Sequence, residues 1–191
     1  MNTCYLSTGS NIGNRLAYLQ AAQRAIVDKT VCLTGASTIY ETAAWGNTNQ
    51  ANFYNQALMI QTSLSPSELL AHCQSIENQY QRQREQHWGA RTLDIDILFY
   101  NDWIVHTKNL ILPHPLLQER NFVLVPLCEL KAHLVHPTLG KTIEQLMVEC
   151  KDKLEVQPVH SPLIKDQWGL GVQQVSVSPK PAHKNLQPYN R

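Results

Sequence analysis

The clearest alternation of apolar and polar positions runs from residue 92 to residue 100. Its apolar members fall on every second position, which predicts a strand with one face in a core; they are Leu93, Ile95, Ile97 and Phe99. Asp94 and Asp96 then share the other face. Two positions along a strand span roughly 6.5–7 Å, so these carboxylates repel by about 2–2.5 kcal/mol at an effective dielectric near 20. Either both face water, where screening lowers that energy, or a divalent cation binds between them.

Similar patterns predict the remaining elements of the first hundred residues. Residues 3–9, 31–42 and 53–63 have strand character, and apolar positions at helical spacing predict a helix over 16–29. A capping box at Ser65 and Glu68, with proline between them, starts a second helix. The order βαββαβ predicts an α+β fold, a ferredoxin-like sandwich in which two helices back an antiparallel sheet.

The C-terminal half reads as short elements followed by a tail. A helix is expected around residues 123–130, and Thr142 with Gln145 forms a second capping box. From about residue 160 the sequence has four prolines and little periodicity. We therefore expect one domain over residues 1–159 and a flexible or surface-laid tail over 160–191.

Composition limits the possible partners and location. The 191 residues have a formal net charge of +1, so no overall field favours nucleic acid or a membrane surface. The five cysteines are scattered and include no C-x-x-C pair, which argues against a disulfide framework. With neither a signal peptide nor a long apolar run, a cytoplasmic location without nucleic-acid or membrane partners is expected. We also expect a monomer.

Basic residues lie just upstream of the two aspartates. Arg82, Arg84, His87 and Arg91 form either a solvated loop or a clamp for a polyphosphate, whose oxygens would complete the shell of Mg²⁺. The polar composition of residues 83–90 further predicts a loop that is mobile and closes over the nucleotide.

Three sequence blocks resemble one enzyme family. "STGSNIGNR", "RQREQHWGARTLDIDIL" and "LPHPLLQERNFVLVPL" resemble, in order, the signatures of 6-hydroxymethyl-7,8-dihydropterin pyrophosphokinase of folate biosynthesis, over about residues 2–150. The resemblance implies transfer of pyrophosphate from ATP to the pterin hydroxymethyl group, with release of AMP.

The resemblance also implies roles for individual residues. Asp94 and Asp96 would hold two Mg²⁺ ions, and Arg82 and Arg91 would stabilise charge during transfer. The nucleotide would contact Gln74, Glu77, Arg84, Trp88, Ile97, His114 and Arg120. The pterin would lie between Phe53 and Phe122, with Thr42, Ala43, Asn55 and the backbone near Trp45 at its edge.

The sequence departs from the family pattern in two loops. Ala43, Ala44 and Ala90 stand where relatives commonly carry proline, which should leave both loops freer. His87 replaces a usual arginine and so removes a fixed charge. Two rival classes remain, a ferredoxin-like ligand-binding or RNA-binding module and another pterin or nucleotide transferase on the same scaffold.

Overall fold

The computed structural model describes residues 1–46, 50–80 and 91–160. Within these ranges the strands are β1 (Asn2–Ser10), β2 (Val31–Ala36), β3 (Tyr40–Thr42), β4 (Phe53–Thr62), β5 (Asp94–Tyr100), β6 (Val105–His106), β7 (Ile111–Leu112) and β8 (Val156–Pro158). The helices are α1 (Arg15–Ile26), α2 (Pro66–Gln79), α3 (Asn121–Lys131) and α4 (Ile143–Glu149), with a 3₁₀ turn at Leu117–Glu119.

The main sheet confirms the ferredoxin-like prediction. Its strands lie in the order β5-β1-β4-β3-β8, β2 also pairs with β4, and the pairings are antiparallel. The single strand predicted over residues 31–42 is instead two strands, β2 and β3. The ladder breaks at Ser37, whose carbonyl accepts a hydrogen bond from the Gln56 side chain at 2.7 Å and whose hydroxyl accepts one from the Ala57 amide at 3.0 Å.

Helices cover both faces of the sheet, so the sandwich has three layers. One core lies between the sheet and helices α1 and α2, and a second lies against α3 and α4. The sequence predicted only the first of these layers as a backing for the sheet. The second follows from α3, whose buried side chains Val123, Leu124 and Leu127 pack on Tyr5 and Ala57.

One detail of β5 corrects the alternation described above. The register with β1 shifts by one residue between Tyr5 and Leu6, so Ile97 pairs with Leu6 whereas Phe99 pairs with Tyr5. A bulge of this kind reverses the direction of the side chains that follow it. The predicted placement of Phe99 beside Ile97 is therefore wrong: Phe99 packs in the second core.

Helix ends follow local capping chemistry. Both capping boxes are confirmed, at Ser65 with Glu68 and at Thr142 with Gln145. Helix α1 ends at Ile26, earlier than predicted, because the Asp28 carboxylate accepts hydrogen bonds from the amides of Thr30 and Val31 and turns the chain into β2. In residues 1–46, 50–80 and 91–160, no helix combines the length and apolar character needed to cross a membrane.

Candidate active site

The polar face of the sheet forms the floor of the candidate site. On one side of β1, Gly9 pairs with Asp94, and on the other side it pairs with Asn55. A side chain at position 9 would displace Asn55, because a Cβ there would lie 2.8 Å from the Asn55 Oδ1. The glycine therefore keeps a gap open between the Asp94 carboxylate and the Asn55 amide, which lie on the two strands that flank β1.

The two aspartates lie on this face without being simply solvated. Asp94 forms an ion pair with the Arg91 guanidinium, and its side chain is only 16% exposed. Asp96 is half-buried and pairs with Ser7 of β1. Solvation alone thus does not account for the paired carboxylates, because Arg91 offsets part of their repulsion.

His114 and Arg120 belong to the same electrostatic cluster. Burial, with the Arg120 charge next in weight, lowers the pKa of His114 to about 4, while Asp94 acts in the opposite direction. Burial also lowers the pKa of Arg120, against the attraction of Asp96 and Asp94. The Nε atom of Arg120 is buried and has no hydrogen-bond partner among the described residues. An anion placed here would meet a neutral imidazole and a guanidinium with an unused donor.

The residues predicted for pterin binding lie along β3, β4 and the start of α3. The buried Asn55 amide donates a hydrogen bond to the Thr42 hydroxyl at 2.8 Å. Phe53 lies on the same face of β4 as Asn55, two positions away, and pairs with Thr42. This amide and hydroxyl form a polar edge beside an aromatic ring.

Arg120 lies between the aromatic residues of this region and the two aspartates, whose charges act on its guanidinium. Its guanidinium carbon lies 4.8 Å from the centre of the Trp45 ring and 5.7 Å from that of Phe122. Ala43 and the buried Ala44 begin the connection of residues 43–52, which joins β3 to β4 and also carries Trp45. The structure thus forms two contact groups from residues that are far apart in the sequence, Thr42 with Asn55 and Arg120 with Trp45 and Phe122.

The comparisons with known proteins bear directly on this arrangement. The sequence model of the family described as 7,8-dihydro-6-hydroxymethylpterin-pyrophosphokinase (HPPK) matches residues 5–132, more than half of the chain. The chain belongs to the HPPK family.

Curated relatives agree with that assignment. The chain is 40% identical over 149 residues to 2-amino-4-hydroxy-6-hydroxymethyldihydropteridine pyrophosphokinase of Aquifex aeolicus, which covers 78% of this chain and 92% of the relative. It is 48% identical over 130 residues to the enzyme of the same name from Bacillus subtilis, covering 68% and 78%. As an HPPK, the chain transfers pyrophosphate from ATP to 6-hydroxymethyl-7,8-dihydropterin in folate biosynthesis.

A solved structure gives the same fold at low identity. The Plasmodium falciparum HPPK-DHPS structure with pteroate superposes with a TM-score of 0.64 and 17% identity, covering 78% of this chain. The match spans 42% of that longer protein. This likeness supports the HPPK fold alone.

Three predicted nucleotide contacts of the HPPK have contrasting surroundings. The Glu77 side chain is buried and accepts a hydrogen bond at 2.8 Å from the amide of Ile95, the residue between the two aspartates. Gln74 is exposed on α2. Ile97 is buried in the core against α1 and α2, on the face away from the aspartates. Their contacts with nucleotide stay predictions.

The sequence analysis missed positioning residues within the HPPK N-terminal block. Arg15 donates hydrogen bonds of 2.8 Å to the Glu41 carboxylate and to the Asn52 carbonyl, and its guanidinium lies 3.7 Å from the Tyr54 ring centre. It therefore links the two stems of the 43–52 connection. Gly9 and Asn11, in the same block, are two further positioning residues that the sequence analysis missed. The motif "STGSNIGNR" contains this signal, since it holds Gly9, Asn11 and Arg15, but the motif alone does not show which segments these side chains contact.

Some predictions fall outside the described residues. These are the catalytic role of Arg82, the nucleotide contacts of Arg84 and Trp88, the effects of His87 and Ala90, and the closing of the 83–90 loop. Most of the predicted tail, residues 161–191, also lies outside them.

Proposed function

We propose that the polar face of the sheet is the active site of this HPPK, with phosphates and metal over β5 and pterin over β3 and β4. The observation that carries this proposal is the row Asp94–Gly9–Asn55, paired across three strands. Strands in a sheet lie about 4.8 Å apart, so this row spans roughly 10 Å. That distance suits a pterin ring beside a polyphosphate.

The donor chemistry of Asp94 and Asp96 fits Mg²⁺. Hard carboxylate oxygens are its preferred protein ligands, usually one or two per ion, with phosphate and water oxygens completing the shell. Residues 1–46, 50–80 and 91–160 contain no group of three or more His, Cys, Asp or Glu able to hold a metal, so a Mg²⁺ ion bound here would take most of its ligands from phosphate and water oxygens. When bound, Mg²⁺ would neutralise phosphate charge and orient the β-phosphorus.

The cationic and neutral donors around the aspartates suit the phosphates. Arg91 and Arg120 offer planar donors that match phosphate oxygens. His114 accepts a hydrogen bond at Nδ1 from the Leu116 amide at 3.3 Å, so the neutral ring carries its proton on Nε2 and can donate it to a phosphate oxygen. The protein therefore supplies positioning and charge stabilisation rather than a nucleophile.

The pterin side positions the attacking hydroxyl. Phe53 and Phe122 would stack on the two ring faces, Asn55 and Thr42 would hydrogen-bond to its edge, and Ala43 and the Trp45 backbone would line it. The hydroxymethyl oxygen would then form a bond to the β-phosphorus while the bond between that phosphorus and the oxygen that bridges it to the α-phosphorus breaks. AMP leaves with the bridging oxygen, and the hydroxyl proton is released to solvent.

Product analysis tests this reaction against the two rival classes. We expect ATP, Mg²⁺ and hydroxymethyldihydropterin to give AMP and pterin diphosphate, with no AMP when the pterin is omitted. Formation of ADP would indicate a different transferase, and no turnover would favour a binding module.

The metal assignment needs a separate measurement. Mn²⁺ can replace Mg²⁺ and is visible by electron paramagnetic resonance. We expect two ions to bind in the presence of an ATP analogue, and Asp96→Asn to remove at least one; unchanged binding would contradict the assignment.

Three further proposals concern the extent of the catalytic domain, the oligomeric state and the cellular location. We propose that residues 1–159 are sufficient for catalysis, that the enzyme is monomeric and that it acts in the cytoplasm. A chain ending at residue 159 should keep its turnover within about tenfold, and light scattering should give the mass of one chain.

A further inference from the structure

Asn11 lies where two parts of the site meet. It follows the end of β1, the strand between β5 and β4, and it is 5% exposed. From this position one side chain can reach past the last paired residues of both the β1–β5 and the β1–β4 ladders. The strand pairs nearest to it are Gly9 with Asp94 on one side and Ser10 with Tyr54 on the other.

On the phosphate side, Asn11 makes a reciprocal pair with Arg91. The backbone N–H of Asn11 donates a hydrogen bond to the Arg91 carbonyl at 3.0 Å. The backbone N–H of Arg91 donates one to the side-chain Oδ1 of Asn11 at 2.7 Å. The backbone of Arg91 is thereby fixed three residues before Asp94, with which its guanidinium forms an ion pair. Asn11 therefore holds the backbone that carries a predicted catalytic arginine.

On the pterin side, the same carboxamide holds the end of the 43–52 connection. Its Nδ2 donates to the Gln50 Oε1 at 3.1 Å and to the Ala51 carbonyl at 3.2 Å. Ala51 lies two residues before Phe53. Each polar atom of the side chain is used, and the two ends serve different halves of the site.

We infer that Asn11 is a positioning residue that couples pterin binding to nucleotide binding. Ligand on one side orders one partner segment, and the carboxamide then favours the bound arrangement of the other. Coupling of this kind is reciprocal, so each ligand should raise the affinity for the other by the same factor. The inference rests on the proposed division of the site into a pterin side and a phosphate side.

The variants separate the two ends of the link. Asn11→Asp keeps the acceptor for the Arg91 amide but replaces the Nδ2 donor by an oxygen that faces the oxygens of Gln50 and Ala51. Asn11→Ala removes the side-chain hydrogen bonds to Arg91, Gln50 and Ala51. Gln50→Ala removes only the bond between Gln50 and the Asn11 Nδ2. Asn14→Ala is the matched control, because Asn14 caps α1 through the Ala17 amide at 3.1 Å, is exposed and touches neither segment.

Calorimetry with unreactive ligands measures the coupling directly. The probes are α,β-methylene-ATP with Mg²⁺ and oxidised 6-hydroxymethylpterin, each titrated with and without the other. We expect each to raise the affinity for the other at least fivefold in the wild type and in Asn14→Ala. The factor should fall to about twofold or less in Asn11→Asp and Asn11→Ala, and partly in Gln50→Ala.

Melting temperatures separate this role from a merely structural one. A structural asparagine would lower the melting temperature and leave the coupling factor unchanged, which would overturn the inference. A wild type that binds both probes without coupling would also overturn it. Failure to bind either probe would instead refute the proposed function. If Asn11→Ala does not fold, Asn11→Asp and Gln50→Ala decide by the same criterion.

Discussion

The two faces of the main sheet are built from the same strands but have different compositions. Toward α1 and α2 the face is apolar along most of its length, with Leu6, Leu58 and Ile95 in one buried cluster. Toward α3 and α4 it is apolar only at one end, near Tyr5 and Phe99, and becomes polar at Gly9, Asn55 and Asp94. One face therefore mainly stabilises the fold, whereas the other divides its length between core and site. Substitutions on the two faces should affect stability and catalysis separately.

The largest expected effect tests the polar face. Asp96→Ala and Asp96→Asn should lower the rate of AMP release by about 10²–10⁴, or roughly 3–5.5 kcal/mol of transition-state stabilisation, because neither keeps the charge that Mg²⁺ requires. The melting temperature should stay near that of the wild type, since removing the charge relieves repulsion with Asp94 but also removes attraction to the buried Arg120. Single-turnover assays and thermal melting give both values. A folded variant with full activity would show that the carboxylates do not bind metal.

The matching variant on the apolar face is Leu6→Ala. Leu6 is fully buried, so truncation should lower the free energy of unfolding by about 2–5 kcal/mol through lost burial and a cavity. Denaturant titration measures this loss. Turnover per folded molecule at low temperature should stay within a few-fold of the wild type. A large loss of turnover in well-folded protein would break the separation between the faces.

A pH titration tests the buried histidine on the polar face. The pKa of His114 is about 4 in the folded protein and near 6.5 when unfolded, so between these values the unfolded chain binds more protons. Stability should therefore fall as pH drops from 6.5 toward 4, by about 1–3 kcal/mol. His114→Asn, whose Oδ1 can still accept from the Leu116 amide, should lose this part of the slope. An unchanged slope would mean that His114 is not the group responsible.

The smallest expected effect tests whether Gly9 separates the proposed pterin side of the polar face from the proposed phosphate side. In Gly9→Ala the new methyl would lie 2.8 Å from Asn55 Oδ1, which must shift away from its place beside Thr42. We expect the KM for pterin to rise about tenfold, near 1.4 kcal/mol, with little change in the KM for ATP. Gly35→Ala is the control, because its Cβ would meet the movable Met59 Cε at 3.3 Å. Equal changes in both KM values would refute a boundary at Gly9.

The sequence alone determined the local features of this protein. Strand periodicity, the two capping boxes and the order of elements predicted the sandwich, because these signals depend on residues close together in the chain. The three motif blocks likewise identified the HPPK family and therefore its reaction. Asp94 and Asp96 could be placed on one face from a period of two.

Only the tertiary structure decided how distant residues meet. The bulge that moves Phe99 to the other face depends on pairing between β1 and β5, and the break at Ser37 depends on Gln56 and Ala57 of another strand. The links that Asn11 makes to Ala51 and Arg91 span 40 and 80 residues. Such contacts leave no periodic pattern in the sequence, because they form only after the sheet has brought separate segments together.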